Sequence, residues 1–386
     1  MENASRFNKR TLFLAIIFLI FTAIFLSACG SPSVPTPAST LEDPVAPTPT
    51  PVPTPMSYND LWESSPHADE DAEAFRHWDE ANPQEIPVTC AQCHSRPGFL
   101  DFLGVDGTAV DVVDSPKPIG TTITCYVCHN EATYTLDSVT FTSGEWIGGL
   151  GPEARCITCH QGRGSTETVD KSIEKLGLEE DTPSVDLLFI NSHSTSAATP
   201  FGSEVHGAYE YTGMNYHGRF NRGQEFFACT RCHEQHSLEL KIETCSECHT
   251  FDGTDPKNIR VNTTDFDGDG NISEGAYYEV EQFKSKLLEA IQAYAKDVVD
   301  VPIVYDLSLY PYFFLDTNGN GQADPEEVNA ENRYNSWTPR LLKAAYNYNY
   351  AMHDAGAFSH NSTYILQALY DSLADIDGDT TGMTRP

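Results

Sequence analysis

Five copies of C-x-x-C-H constrain this chain more than anything else in it. They are Cys90-Cys93-His94, Cys125-Cys128-His129, Cys156-Cys159-His160, Cys229-Cys232-His233 and Cys245-Cys248-His249. The chain holds 11 cysteines, and only Cys29 lies outside the five units. A disulfide framework suits an exported protein, yet it does not explain a histidine after every second cysteine. Structural zinc joins C-x-x-C pairs two at a time, so five pairs have the wrong parity. A dithiol redox site needs one pair. Covalent haem attachment accounts for every residue: the two thiols add to two vinyl groups, and the adjacent imidazole lies under the iron. The expectation is five covalent haem c groups.

The motif histidines stand 35, 31, 73 and 16 residues apart. The shortest step, from His233 to His249, keeps the fourth and fifth irons close together. Porphyrin faces supply apolar surface that short loops lack. The expected fold is therefore mainly α with extensive coil, little sheet, haems forming much of the core, and C-terminal helices packed over it.

Each iron has a second axial position. Eight histidines lie outside the motifs. His236, in "CHEQHSLEL", is too near His233 to reach the far face of the same haem, so it points to a neighbour. His360, in "GAFSHNSTY", precedes an apparent helix over 361–375. His77 stands beside Trp78, and His193 lies in "INSHSTSA". His217 in "NYHGRF" completes the set, with His206 next. His67 and His353 read as bystanders, and Met214 and Met352 as weaker alternatives. Bis-histidine ligation leaves no open coordination position, which favours electron transfer over catalysis.

The N-terminus reads as an export signal. Arg6, Lys9 and Arg10 precede the apolar run "TLFLAIIFLIFTAIFL", and 1–28 is the expected signal peptide. Leu26-Ser27-Ala28-Cys29 resembles a bacterial lipobox, which implies cleavage before Cys29 and a lipid on its sulfur. The alternative is an uncleaved anchor helix; sixteen apolar residues are short for a span of about twenty. A proline-rich segment completes 29–57 and reads as a semi-rigid tether. Both readings export the rest, with the anchor on the outer face of the cytoplasmic membrane or on an outer membrane. The net charge of −33 argues against nucleic acid and anionic lipid as partners and suits cations or basic proteins.

The cysteines stop after His249. "DTNGNGQADPEE" has the register of an EF-hand loop: Asp316, Asn318, Asn320, Gln322, Asp324 and Glu327 as calcium ligands around a turn at Gly321. "DFDGDGNISEGA" offers Asp265, Asp267 and Asp269, but Ala276 stands at position 12, so Glu274 or Glu279 must close the site. "DIDGDTTG" (375–382) starts the same way and breaks off as a surface turn. Helical spacing covers 279–299, Thr-Pro opens a helix at 338–356, and 168–181 is a further helix. The domains expected are a pentahaem region over 58–250 and a helical, calcium-bound region over 251–386.

The five motifs resemble those of multihaem c-type cytochromes, directly over 90–250. "C-x-x-C-H-x-x-H" and the histidine–asparagine segment at 360–361 look like distal-ligand segments of such proteins. The resemblance implies electron relay outside the cytoplasmic membrane, with redox proteins as partners. Pentahaem nitrite reductases are similar in haem number, but their C-x-x-C-K motif is missing here; a reductase of nitrite, hydroxylamine or a similar small oxidant is the second reading. A homo-oligomer or conductive filament is the third.

Overall fold

Local sequence punctuation sets most elements. The computed structural model describes residues 56–223, 228–251 and 253–386. The expected signal peptide, the expected lipidation site at Cys29 and the expected tether through 55 lie outside the described residues. Helices α1 (Tyr58–Glu63) and α2 (Glu73–Arg76) lead in; a capping box between Ser57 and Asp60 starts the first. The first motif ends α3 (Val88–His94), and Ser95 then caps α4 (Arg96–Phe102). These two helices cross tightly, since a Cβ on Gly98 would stand 2.1 Å from the Ala91 carbonyl oxygen.

Next come α5 (Cys125–Cys128), α6 (Glu131–Thr135), α7 (Ala154–His160) and α8 (Thr166–Glu174). Short turns α9 (Cys229–Cys232) and α10 (Ile242–Cys245) follow. The long helices close the chain: α11 (Ala276–Asp297), α12 (Pro339–Met352) and α13 (Ala357–Asp375). Strands occur only as two-stranded antiparallel ladders among the described residues: β1 (Glu85–Ile86) with β2 (Lys117–Pro118), β3 (Ser138–Thr140) with β4 (Trp146–Gly148), and β5 (Ile303–Tyr305) with β6 (Phe313–Leu315).

The apolar core is uneven. One large cluster joins α11, α12 and α13 through Phe283, Leu287, Leu341, Tyr364 and Leu373, and extends to Phe141, Ile157 and Phe201. The first two motifs share a small second cluster, Phe99, Leu103 and Val127, with Cys128 and Cys159 against it. Helix α12 is buried on every side: Tyr346, Tyr348 and Tyr350 are all in the core. The segment 375–382 is a largely exposed turn, as expected, and its end also packs on the first acidic loop. Gly382 backs onto Gly268, and Thr384 N–H donates to the Phe266 carbonyl. Helix α13 breaks at Asn361, whose side chain accepts from Tyr364 N–H and restarts the helix.

Candidate haem-binding site

A C-x-x-C-H unit on a helical turn puts its reactive atoms together, because positions i, i+3 and i+4 share one face. Four of the units form such turns within α3, α5, α7 and α9. In the fifth, His249 N–H donates to the Cys245 carbonyl at 2.9 Å, the same i→i−4 bond. Each unit thus presents two thiols and an imidazole on one side.

The ring nitrogens are sorted. Nδ1 of His94 meets the Ala74 carbonyl at 2.7 Å, Nδ1 of His129 the Tyr134 hydroxyl at 3.2 Å, Nδ1 of His160 the Ser194 hydroxyl at 3.1 Å, and Nδ1 of His233 the Leu238 carbonyl at 3.2 Å. Such bonds fix the ring and leave Nε2 for a metal.

Three motif histidines face a second imidazole. An imidazole nitrogen sits about 2 Å from a metal it holds, so two rings sharing one ion have facing nitrogens about 4 Å apart and centroids about 6 Å apart. His94 and His193 approach Nε2 to Nε2 at 3.3 Å. The rings of His129 and His236 lie 6.3 Å apart and nearly parallel, at 8°. Those of His160 and His67 lie 6.2 Å apart at 29°. Burial, reinforced by neighbouring imidazoles, pushes His160 and His193 down to about 4, so both rings are neutral at physiological pH.

Long-range contacts place these partners. Buried Asn349 on α12 accepts from Ser192 N–H at 3.1 Å and its hydroxyl at 2.8 Å. The Thr195 hydroxyl donates to the Tyr350 carbonyl, and Ala197 N–H to the His160 carbonyl. Between these anchors His193 takes a left-handed backbone, φ 62°, an uncommon conformation that often marks functional positions. His67 is held because Ile123 N–H donates to its carbonyl while Trp62 Nε1 donates to the Ile123 carbonyl. For His236, the Glu234 carboxylate caps the loop by accepting from the His236 and Ser237 N–H groups.

Of the distal residues the sequence proposed, the structure brings His193 and His236 opposite motif imidazoles, and it sets His67 opposite a third. His77 is half-exposed, with Nδ1 2.8 Å from Glu73, and stands edge-on to Trp78. His217 donates its N–H to Gln367, and its ring lies 6.0 Å from Phe220. His360 meets Asp354, and His206 meets Glu210. His353 Nδ1 meets the Asn349 carbonyl. Met214 is exposed and Met352 ends α12.

Motifs also meet one another. The Cys93 and Cys159 thiols are in hydrogen-bonding contact. Cys156 and Cys229 sulfurs and a Glu153 oxygen lie within 4.8 Å of one another. The buried Glu153 carboxylate accepts from Cys229 N–H at 2.7 Å and the Thr230 hydroxyl at 2.9 Å, tying α7 to α9. Arg231 pairs with Glu247 and Lys241 N–H donates to the Cys232 carbonyl, tying the fourth motif to the fifth. The third motif therefore meets the first and the fourth, and the fifth adjoins the fourth.

The acidic loops share one hydrogen-bond pattern. Asp265 accepts from Gly268 and Gly270 N–H; Asp316 accepts from Gly319 and Gly321 N–H. Glu279 accepts from Phe266 and Asp267 N–H, as Glu327 does from Thr317 and Asn318 N–H. Glu279, on α11, thus takes the place Glu327 holds in its own loop. Asp265, Asp267 and Glu279 oxygens lie within 4.8 Å of one another, while Glu279 also pairs with Arg260 at 2.7 Å. Buried Asp267 is pushed up to about 7 by burial and by the Glu279, Asp265 and Asp269 carboxylates. In the second loop, Asn318 and Asn320 side chains turn to Asp324.

Over a 250-residue alignment the chain is 27% identical to the C-type polyheme cytochrome OmcB of Geobacter sulfurreducens and 26% identical to its C-type polyheme cytochrome OmcC. This chain is a distant relative of polyhaem c-type cytochromes. The alignment covers 56% of this chain, which spans only about 30% of the length of these curated relatives. No family model and no solved structure matches.

Proposed function

We propose that the chain is an electron-relay protein that carries five covalent haems and works outside the cytoplasmic membrane, tethered by a lipid on Cys29. One observation carries this reading: motif imidazoles His94, His129 and His160 each face a second imidazole, His193, His236 and His67. Such a pair would fill both axial positions at these three sites and leave no place there for a substrate. Bound haem supplies one-electron exchange at each site. The protein supplies the spacing: Glu153 clamps the third attachment site to the fourth, and the thiol contact of Cys93 with Cys159 sets the first against the third.

Calcium fits the same chain. Asp265, Asp267, Asp269 and Glu279 would hold one ion, and Asp316, Asn318, Asn320, Gln322, Asp324 and Glu327 another. A buried carboxylate cluster is costly without a cation, so both ions would act structurally. The partners would be redox proteins, with basic surfaces favoured by the charge of −33.

The test is mass and electron paramagnetic resonance on the purified, oxidised protein. Five haems per chain and low-spin ferric signals are expected. His67→Met should alter one centre and His77→Met none. A chain without covalent haem, or a dominant high-spin ferric signal, defeats the relay; the second outcome would favour the reductase reading.

A further inference from the structure

Three exposed apolar residues sit at the tip of the β5–β6 hairpin. Leu307, Leu309 and Tyr310 keep 44%, 39% and 55% of their surface in solvent. The tip is fixed by its own backbone. Asp306 N–H donates to the Tyr312 carbonyl and Tyr312 N–H to the Leu309 carbonyl, both at 2.8 Å, while the Asp306 carboxylate accepts from Ser308 N–H at 2.7 Å. Tyr312 takes a left-handed backbone, φ 72°, which is uncommon for a bulky side chain. A fixed turn that holds aliphatic side chains in water forgoes their burial, and clustered apolar surface of this kind marks a contact site.

The tip leads inward to the first motif. The ring of Tyr310 stands 5.8 Å from that of Tyr312, and Tyr312 stands 5.1 Å from His353. Nδ1 of His353 meets the Ser192 hydroxyl at 3.3 Å. Ser192 precedes His193, whose Nε2 faces that of His94. His94 is held in turn by the Ala74 carbonyl of α2. Charge along both flanking segments is one-sided. Residues 297–332 hold eight acids and neither lysine nor arginine, and residues 69–80 hold six acids against Arg76 alone. The side chains of Asp71 and Glu73, beside Ala74, are exposed.

We propose that the β5–β6 tip, with these acids about it, is the docking surface through which a basic, one-electron carrier protein exchanges electrons with the first motif site. The apolar tip supplies a centre that can shed water, and the acids steer a basic rim into register. The proposal rests on the relay reading and names the end of the relay that faces the partner. In each encounter one electron passes between the carrier and the iron held at His94 and His193; one is oxidised, the other reduced, and no bond is made or broken.

The test pairs calorimetric binding with stopped-flow electron exchange, using the full-length, haem-loaded protein and a basic c-type cytochrome. Calorimetry is done with both proteins oxidised, so that no electron moves. The double variant Leu307→Ser with Tyr310→Ser should weaken binding about tenfold and slow second-order exchange in step, with haem content, low-spin spectra and midpoint potentials unchanged. Asp71→Asn with Glu73→Gln should slow association and flatten its salt dependence; if the tip variant does not fold, this charge variant decides alone. In rapid-freeze paramagnetic resonance the centre that changes oxidation state first should be the one that His193→Met alters. Wild-type binding and rates in the tip variant, or first reaction at another centre, overturn the proposal and leave the relay intact. So does a tip variant that, in a Cys29→Ser background, loses binding to phosphatidylcholine vesicles but keeps that to the cytochrome, since the tip would then be a lipid contact. A wild-type chain without haem removes the relay itself.

Discussion

Asp101 has no exposed side-chain surface, and three donors meet it: Lys117 at 2.5 Å, the Thr108 hydroxyl at 2.9 Å and Asp114 N–H at 3.1 Å. Burial alone would raise its carboxyl; the Lys117 ammonium and the two hydrogen bonds outweigh that and hold it below the usual range. A carboxyl depressed only in the folded state adds stability above its unfolded value of about 4 and loses it as pH falls through the folded value. Lys117→Met should cost about 2 kcal/mol in chemical denaturation, less than a deep pair because Lys117 stays partly in water. The loss should shrink in acid as Asp101 takes up its proton. The ligand residues were unevenly legible in sequence. The C-x-x-C-H units name themselves, because thiols and imidazole must share one turn. His236 could be read from its separation from His233. His67 has no local signature; it faces His160 through the Trp62 and Ile123 contacts, which no short window contains.

Helix α12 is the element that aims the first site. Asn349 holds Ser192, Ser192 precedes His193, and His193 faces His94. Asn349→Leu removes two hydrogen bonds to Ser192 and leaves those donors buried, a cost of about 1–3 kcal/mol. The expected result is a lower melting temperature and one perturbed low-spin signal, with haem content unchanged. The acidic loops act at the same scale, pinning the start of α11 and the turn beside β6. Chelation should lower the melting temperature by several degrees. Glu279→Gln should remove the contribution of one ion and Glu327→Gln that of the other, as read by calcium titration. Helices α11 and α12 were legible from apolar spacing and the Thr-Pro start. The restart at Asn361 matches the helix expected over 361–375; the helical turn that precedes it, from Ala357, was not legible, because only a side-chain cap at Asn361 separates the two. The three tyrosines of α12 at alternate positions read ambiguously, since only burial on all sides reconciles them with a helix.

At the scale of the molecule, 56 acids against 23 bases give a field that steers cationic partners. Electron exchange with a basic cytochrome should therefore slow steeply between about 10 and 200 mM salt, and exchange with an acidic one should quicken. The large apolar core is centred on the C-terminal helices, while the first motifs share only a small one. The sequence expected a division after His249, where the cysteines stop; the single apolar cluster that runs across that point from Val139 to Met383 has no signal in the composition. The meeting of Cys93 with Cys159, and of Cys156 with Cys229, has a consequence for biogenesis. Thiols from separate attachment sites become neighbours once the polypeptide compacts, and in an oxidising compartment neighbouring thiols crosslink. On the proposed haem reading, attachment of the porphyrins would come first, on a chain still open, and a premature fold would be a covalently trapped one.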